Sequence, residues 1–183
     1  MFINYRQKIA CITGIAALIL SQSAIADSAN TITFKGEVSE QTCEVTINGV
    51  SARPVVVLPT VSKSQLTAAD TSAGLTTFTL GVTGCAVTSG ALDVKTLFVG
   101  HNVSASGNLA NTGSASNVEL QLLTDAGGAT PIDLRTSTAI AGVIVPAGQT
   151  AGEHDFAVQY YSPTGSATAG TVVGSVQYAV TYL

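Results

Sequence analysis

The chain has 183 residues, of which 7 are Lys or Arg and 11 are Asp or Glu, giving a formal net charge of −4 with only 10% charged and 46% hydrophobic residues. That balance excludes a nucleic-acid binder, which needs a basic patch or stripe. The length suits a single compact domain once a leader is set aside.

The leader is Met1 to Ala26. Arg6 and Lys8 make a positive start, Ile9 to Leu20 is apolar, and Ala24-Ile25-Ala26 is a small-residue cleavage site. The apolar run falls short of the about 20 residues that a membrane-spanning helix needs, and no second run of that length follows. Cleavage after Ala26 leaves 157 residues, with five basic side chains against eleven acidic ones. The expected product is exported, without a membrane span in the mature chain.

Residues 27–38 read as an extended arm. Ile32, Phe34, Gly36 and Val38 fall on one face, while Thr31, Thr33, Lys35 and Glu37 fall on the other. Cys43 and Cys85 are the two cysteines outside the leader. In an oxidising compartment an even pair is expected to form a disulfide.

Strands are expected at about 32–48, 55–58, 76–82, 94–100, 118–123, 143–145, 154–161 and 172–182, from runs rich in β-branched and aromatic residues that alternate with polar ones. The breaks have physical causes. Asn48-Gly49 suits a tight turn with positive φ, and Pro54 and Pro59 bracket Val55 to Leu58 and place that run at an edge or a strand start. Ser62 to Gly74 reads as a connection with one helical turn around Gln65 to Ala69. Ser104 to Ser116 reads as a surface loop, and Ala126 to Pro131 as a hairpin turn tipped by Gly127-Gly128. Several short strands at such spacing predict an all-β sandwich.

The last run, Gly170 to Leu183, alternates Val176, Tyr178, Val180 and Tyr182 with Ser175, Gln177, Ala179 and Thr181. It needs a neighbour on each edge, because an exposed apolar edge invites association. An earlier strand of the same chain or a strand from another molecule can fill that place.

Candidate chemistry is sparse. His101 and His154 stand apart without ligand-spaced partners, and Glu37, Glu40 and Glu44 read as a solvated face, so neither a metal site nor an acid–base set is expected. No nucleophile elbow or phosphate loop is present; Gly81-Val-Thr-Gly84 lacks the strand-to-helix setting such a loop requires. Asn102-Val-Ser104 reads as surface loop. Phe78, Phe98, Phe156, Tyr160, Tyr178 and Tyr182 read as core, with Tyr182 also at the terminal edge. No enzyme activity and no cofactor are expected.

A glycine at 170 with a penultimate tyrosine at 182, the arm Thr31 to Val38 ahead of Cys43, the segment Asn117 to Leu123, and Phe156 to Tyr160 ahead of Ala167 to Gly170 together resemble the pilins of the chaperone–usher pathway, type 1 fimbrial major subunits in particular. The resemblance implies an incomplete immunoglobulin-like β-sandwich over 39–183. Its missing strand would come from a neighbouring subunit's arm, with Ile32, Phe34, Gly36 and Val38 as the donated face. Gly170, Val176, Tyr178, Val180 and Tyr182 would edge the acceptor groove. It also implies a periplasmic chaperone and an outer-membrane usher as partners besides other pilins, and a place in an extracellular fimbrium supporting adhesion. A minor adaptor pilin, or a secreted self-complete sandwich binding through the 104–116 loop, are the alternative readings.

Overall fold

The computed structural model describes Val38 and residues 43–182. The leader, the arm positions Ile32, Phe34 and Gly36, and the part of the first expected strand before Cys43 lie outside the described residues. Among the described residues eight strands follow one another: β1 Glu44–Ile47, β2 Thr71–Thr83, β3 Leu92–Gly100, β4 Leu109–Ala110, β5 Glu119–Leu123, β6 Ala139–Val145, β7 Gly152–Ser162 and β8 Val176–Thr181. They form a five-stranded sheet in the order β1-β2-β7-β5-β4 and a three-stranded sheet in the order β6-β3-β8. Every ladder is antiparallel.

Period-2 alternation makes the core. Phe78, Leu80 and Val82 of β2 and Phe156 and Val158 of β7 face Val94 and Phe98 of β3 and Val143 and Val145 of β6, all buried. The three phenylalanines pack as one unit. Phe78 stacks on Phe156 with centroids 5.8 Å apart, and Phe98 meets Phe156 edge-on at 5.1 Å, both favoured by the ring quadrupoles. The Cys43–Cys85 disulfide is present, with Cα atoms 4.4 Å apart, and closes the end of the β1–β2 ladder beside the Glu44↔Thr83 pair.

The turn chemistry reads through at Asn48-Gly49. Both residues have positive φ, 49° and 77°, and Ile47 and Val50 exchange backbone hydrogen bonds across them. At 124–131, Gly128 N donates to Asp125 O at 3.1 Å, so the expected turn is there, though Pro131 makes only a single bridge to Leu123.

Four expectations need correction. The strand read at 76–82 starts at Thr71, because a register shift between Ala73 and Thr76 lets the ladder with β7 resume beyond Gly74, whose φ is 67°. The helical turn is a 3-10 turn at Lys63–Leu66, started by Ser62, whose side chain accepts from Ser64 N. The stretch 104–116 is not a free surface loop: Leu109 is buried, β4 lies within it, and its second half is hydrogen-bonded to the run before β8. Residues 55–58 are assigned to no strand of either sheet.

Candidate functional site

Two extended runs border an opening in the sandwich. One is Pro54 to Leu58, where Val56 and Leu58 pack on the core while Val55 and Val57 point outward, 79% and 81% exposed. The other is β8, at the margin of its sheet, whose ladder partners among the described strands are all in β3, from Gly100↔Val176 to Lys95↔Thr181. Proline at 54 and 59 supplies no N–H, which suits a run that other strands of the same sheet do not use.

Between these runs lies a cavity of about 280 Å³. Its floor is made by Ile47, Phe78, Phe98, Leu109, Leu120, Leu122 and Val158, and its walls by Pro54 to Val56, Leu58, Gly174 to Val176 and Tyr178. The lining holds no charged side chain, so it offers no ion partner, and its side chains are apolar except for Ser175 and Tyr178. The inward residues Val176, Tyr178, Val180 and Tyr182 are only half-buried, although each packs against the main core. A strand that a neighbour covers on its far side would have its inward side chains buried.

The run before β8 is fixed by an unusual clasp. Asn111 Oδ1 accepts from Val173 N and from Gly113 N, both at 2.8 Å. Thr112 N donates to Val173 O at 2.9 Å and Ala115 N to Thr171 O at 3.0 Å. Gly170 sits so close to this clasp that a Cβ there would lie 2.5 Å from Ala115 N. A second hollow of about 520 Å³ opens here over a small cluster of Leu66, Ala115, Val118 and Ala167, with Gly170 and Val172 on its wall.

Of the residues singled out from the sequence, Val176 and Tyr178 therefore line the cavity between Pro54–Leu58 and β8, and Val180 and Tyr182 extend the same face beyond it. Gly170 belongs to the second hollow. Val38 is fully exposed, and Ile32, Phe34 and Gly36 lie outside the described residues. Sequence reasoning missed Gly174, Leu109 and Leu120. A Cβ at Gly174 would lie 3.0 Å from Leu120, so the chain dips to the cavity floor there; an inward-phase glycine four residues after Gly170 was the available signal.

The remaining polar chemistry is structural. His154 Nε2 donates to Thr124 O at 2.8 Å while its ring meets Phe156 edge-on, and His101 is exposed. Arg135 clamps Asp133 through 2.7–3.3 Å contacts and donates to Ala105 O, and these bonds hold the Asp133 carboxyl down to about 2. Thr96, fully buried in β3, has a hydroxyl with no hydrogen-bond partner. Among the described residues no group of three or more His, Cys, Asp or Glu could hold a metal, and no helix is long and apolar enough to cross a membrane.

Comparison with known proteins adds four findings. The profile described as fimbrial protein matches residues 32–183. The F17 fimbrial protein of Escherichia coli is 41% identical over 184 residues, spanning 96% of this chain and 99% of the relative. The major fimbrial subunit SMF-1 of Stenotrophomonas maltophilia is 36% identical, over 83% of this chain and 91% of its own length. Among solved structures, a chaperone–usher pilus subunit superposes with a TM-score of 0.56 at 21% identity, over 87% of this chain and 99% of that one.

Proposed function

Because this chain belongs to the fimbrial protein family, which is a family of structural proteins and not of enzymes, we propose that it is a fimbrial shaft subunit whose open cavity receives the arm of the next subunit. The observation that carries this reading is the apolar opening between Pro54 to Leu58 and β8, bordered by half-buried side chains on a strand paired with one described neighbour. The arm of another copy matches it. Ile32, Phe34 and Val38 offer alternating apolar side chains, each worth about 1.5–3 kcal/mol when buried, and main-chain hydrogen bonds to the strand edge add affinity. Gly36 is the position on that face without a side chain, so it asks for no depth in the opening. Before joining, a periplasmic chaperone lends a strand to the same opening, and an outer-membrane usher exchanges it for the arm. The finished subunit stands in an extracellular fimbrium that supports adhesion.

An inserted strand leaves only by exposing its host's core, so the joint is held by a kinetic barrier. The wild-type polymer is expected to run as a ladder in SDS without boiling and to collapse to single subunits on boiling. Deleting residues 27–34 should leave a folded, chaperone-bound subunit that adds nothing to a growing end through its own arm. A ladder persisting in that variant would overturn the reading. A minor adaptor role is the second reading, favoured by the 30% identity to the minor fimbrial subunit HifD of Haemophilus influenzae over 82% of this chain. Removal of a shaft subunit abolishes the fibre, whereas removal of an adaptor shortens it.

A further inference from the structure

Asn48 is the only asparagine of the chain that is followed by glycine. Asparagine is among the thermolabile side chains, and a following glycine, having no Cβ, lets its backbone nitrogen come close to the carboxamide. Both residues are exposed, so water reaches them, and a Cβ at Gly49 would meet nothing within 4 Å. Among the described residues Gly49 N donates to no acceptor, which leaves it free to act as a nucleophile.

The fold holds the electrophile away from it. Asn48 Oδ1 accepts from Thr79 N at 2.8 Å and Asn48 N donates to Thr79 O at 2.8 Å, so the carboxamide is fastened to β2 instead of turning towards Gly49. Ile47 and Val50 exchange backbone bonds of 3.0 and 2.9 Å across the turn, with both turn residues at positive φ. β1 itself is only Glu44–Ile47, paired with β2 and closed at its other end by the Cys43–Cys85 disulfide. Bringing Asn48 Cγ to Gly49 N therefore requires Thr79 N to be released, which happens when this short ladder opens locally.

We propose that Asn48 is a deamidation site kept latent by the β1–β2 ladder, and that its conversion makes an opening of β1 permanent. In an opened turn Gly49 N attacks Asn48 Cγ. The new bond from Gly49 N to Cγ replaces the Cγ–Nδ2 bond, and ammonia leaves with the proton that Gly49 N gives up, closing a cyclic imide. Water then adds to one imide carbonyl and breaks its bond to the ring nitrogen, giving aspartate or isoaspartate at 48. Aspartate keeps an acceptor for Thr79 N but sets a carboxylate beside Thr79, whose hydroxyl already donates to Asp155. Isoaspartate adds a carbon to the main chain inside a two-residue turn, so the Ile47–Val50 exchange no longer forms at its old spacing. Ile47 belongs to the buried core, and its hold on β2 goes with the turn.

The purified wild-type subunit tests this in three states at one mildly alkaline pH: native, reduced with dithiothreitol, and unfolded in urea. Peptide mass spectrometry reads conversion at 48, and isoaspartyl methyltransferase labelling reads the isoaspartate. Asn102, exposed but followed by valine, is the internal control. Position 48 is expected to convert at least about tenfold more slowly in the native subunit than in urea, as for a group reached only through local opening. The reduced subunit should convert faster than the native one, and Asn102 should lag behind 48 in urea. Equal rates in the native and unfolded chains would overturn the latency, as would a reduced subunit no faster than the oxidised one. An unconverted 48 in urea, or conversion of Asn102 at the same rate, would overturn the site itself. After refolding from urea, chains carrying isoaspartate should exchange the Ile47 and Val50 amides faster than unconverted chains, and equal exchange would refute the permanence.

Discussion

The backbone N–H of Cys43 donates to the phenolic oxygen of Tyr182 at 3.1 Å. Cys43 is also half of the disulfide to Cys85, so the start of β1, the end of β2 and the far end of the β8 run are tied at one point. Cys43 is thereby fastened beside the strand that borders the opening.

Breaking this tie at its covalent part should cost most. Cys43→Ser/Cys85→Ser is expected to lose about 2–5 kcal/mol, close to the roughly 4 kcal/mol that loop-closure entropy gives for a ring of this size. Denaturant titration of the chaperone-free subunit measures it, and an unchanged midpoint would refute it. Tyr182→Phe removes the acceptor of the Cys43 N–H, a loss of about 0.5–1.5 kcal/mol.

The two faces of β8 should respond differently to charge. Val176→Asp places a carboxylate in the apolar lining of the opening, and the subunit is expected to disappear from the periplasm by proteolysis. Ala179→Asp is exposed and should accumulate normally. Immunoblots of periplasmic extracts decide it, and equal loss from both would place the face wrongly.

Thr96 offers a gain. Its hydroxyl is fully buried and unbonded, so Thr96→Val removes a desolvated polar group at nearly constant volume and is expected to raise stability by about 1 kcal/mol. A lower melting temperature for the variant would mean that the hydroxyl has a partner.

Acid should act on the Asp133–Arg135 pair late. The Asp133 carboxyl is held down to about 2 by hydrogen bonds from the Arg135 side chain and backbone. Its contribution is complete above the ordinary carboxylate range and is lost as pH falls from about 4 towards 2. A carboxyl carbon titration by NMR should show Asp133 still ionised at pH 3, and Arg135→Gln should return it to the ordinary range.

Replacing Gly170 should undo the clasp. A side chain there collides with the backbone of Ala115 and with Ser114, so Gly170→Val is expected to cost about 1–3 kcal/mol and to free the run before β8. Faster amide exchange at Val173 than at Phe156 would report that release.

Much of the sandwich was legible because its strands obey a period of two. Phe78, Leu80 and Val82, or Phe156 and Val158, announce a buried face by spacing alone, and two cysteines in an exported chain announce their bond. The opening was half legible. Val176 and Tyr178 stood out, but Leu109 sits in a stretch of Ser, Asn, Gly and Ala whose composition speaks of a loop, and β4 forms there through pairing that composition does not carry, Leu109 with Leu120 and Ala110 with Glu119 of β5. The start of β2 was hidden for a similar reason, since a strand broken by Gly74 and shifted in register carries no continuous alternation. Val55 to Leu58 has strand composition and, among the described residues, no strand partner in either sheet, a distinction that propensity does not carry.

The β3–β8 pairing has one further consequence, for time rather than for stability. Phe98 lies opposite Tyr178, and Lys95 opposite Thr181, so the smaller sheet closes only when segments distant in sequence meet. Long-range pairing of this kind is slow, because loop closure must precede any gain from contact. During that interval the apolar floor under the opening and the margin of β3 are bare, in a form that can add to other unfinished chains. A partner that supplies a strand early would shorten the exposure and speed closure, so the subunit's yield should depend on how soon that partner arrives as much as on how tightly it binds.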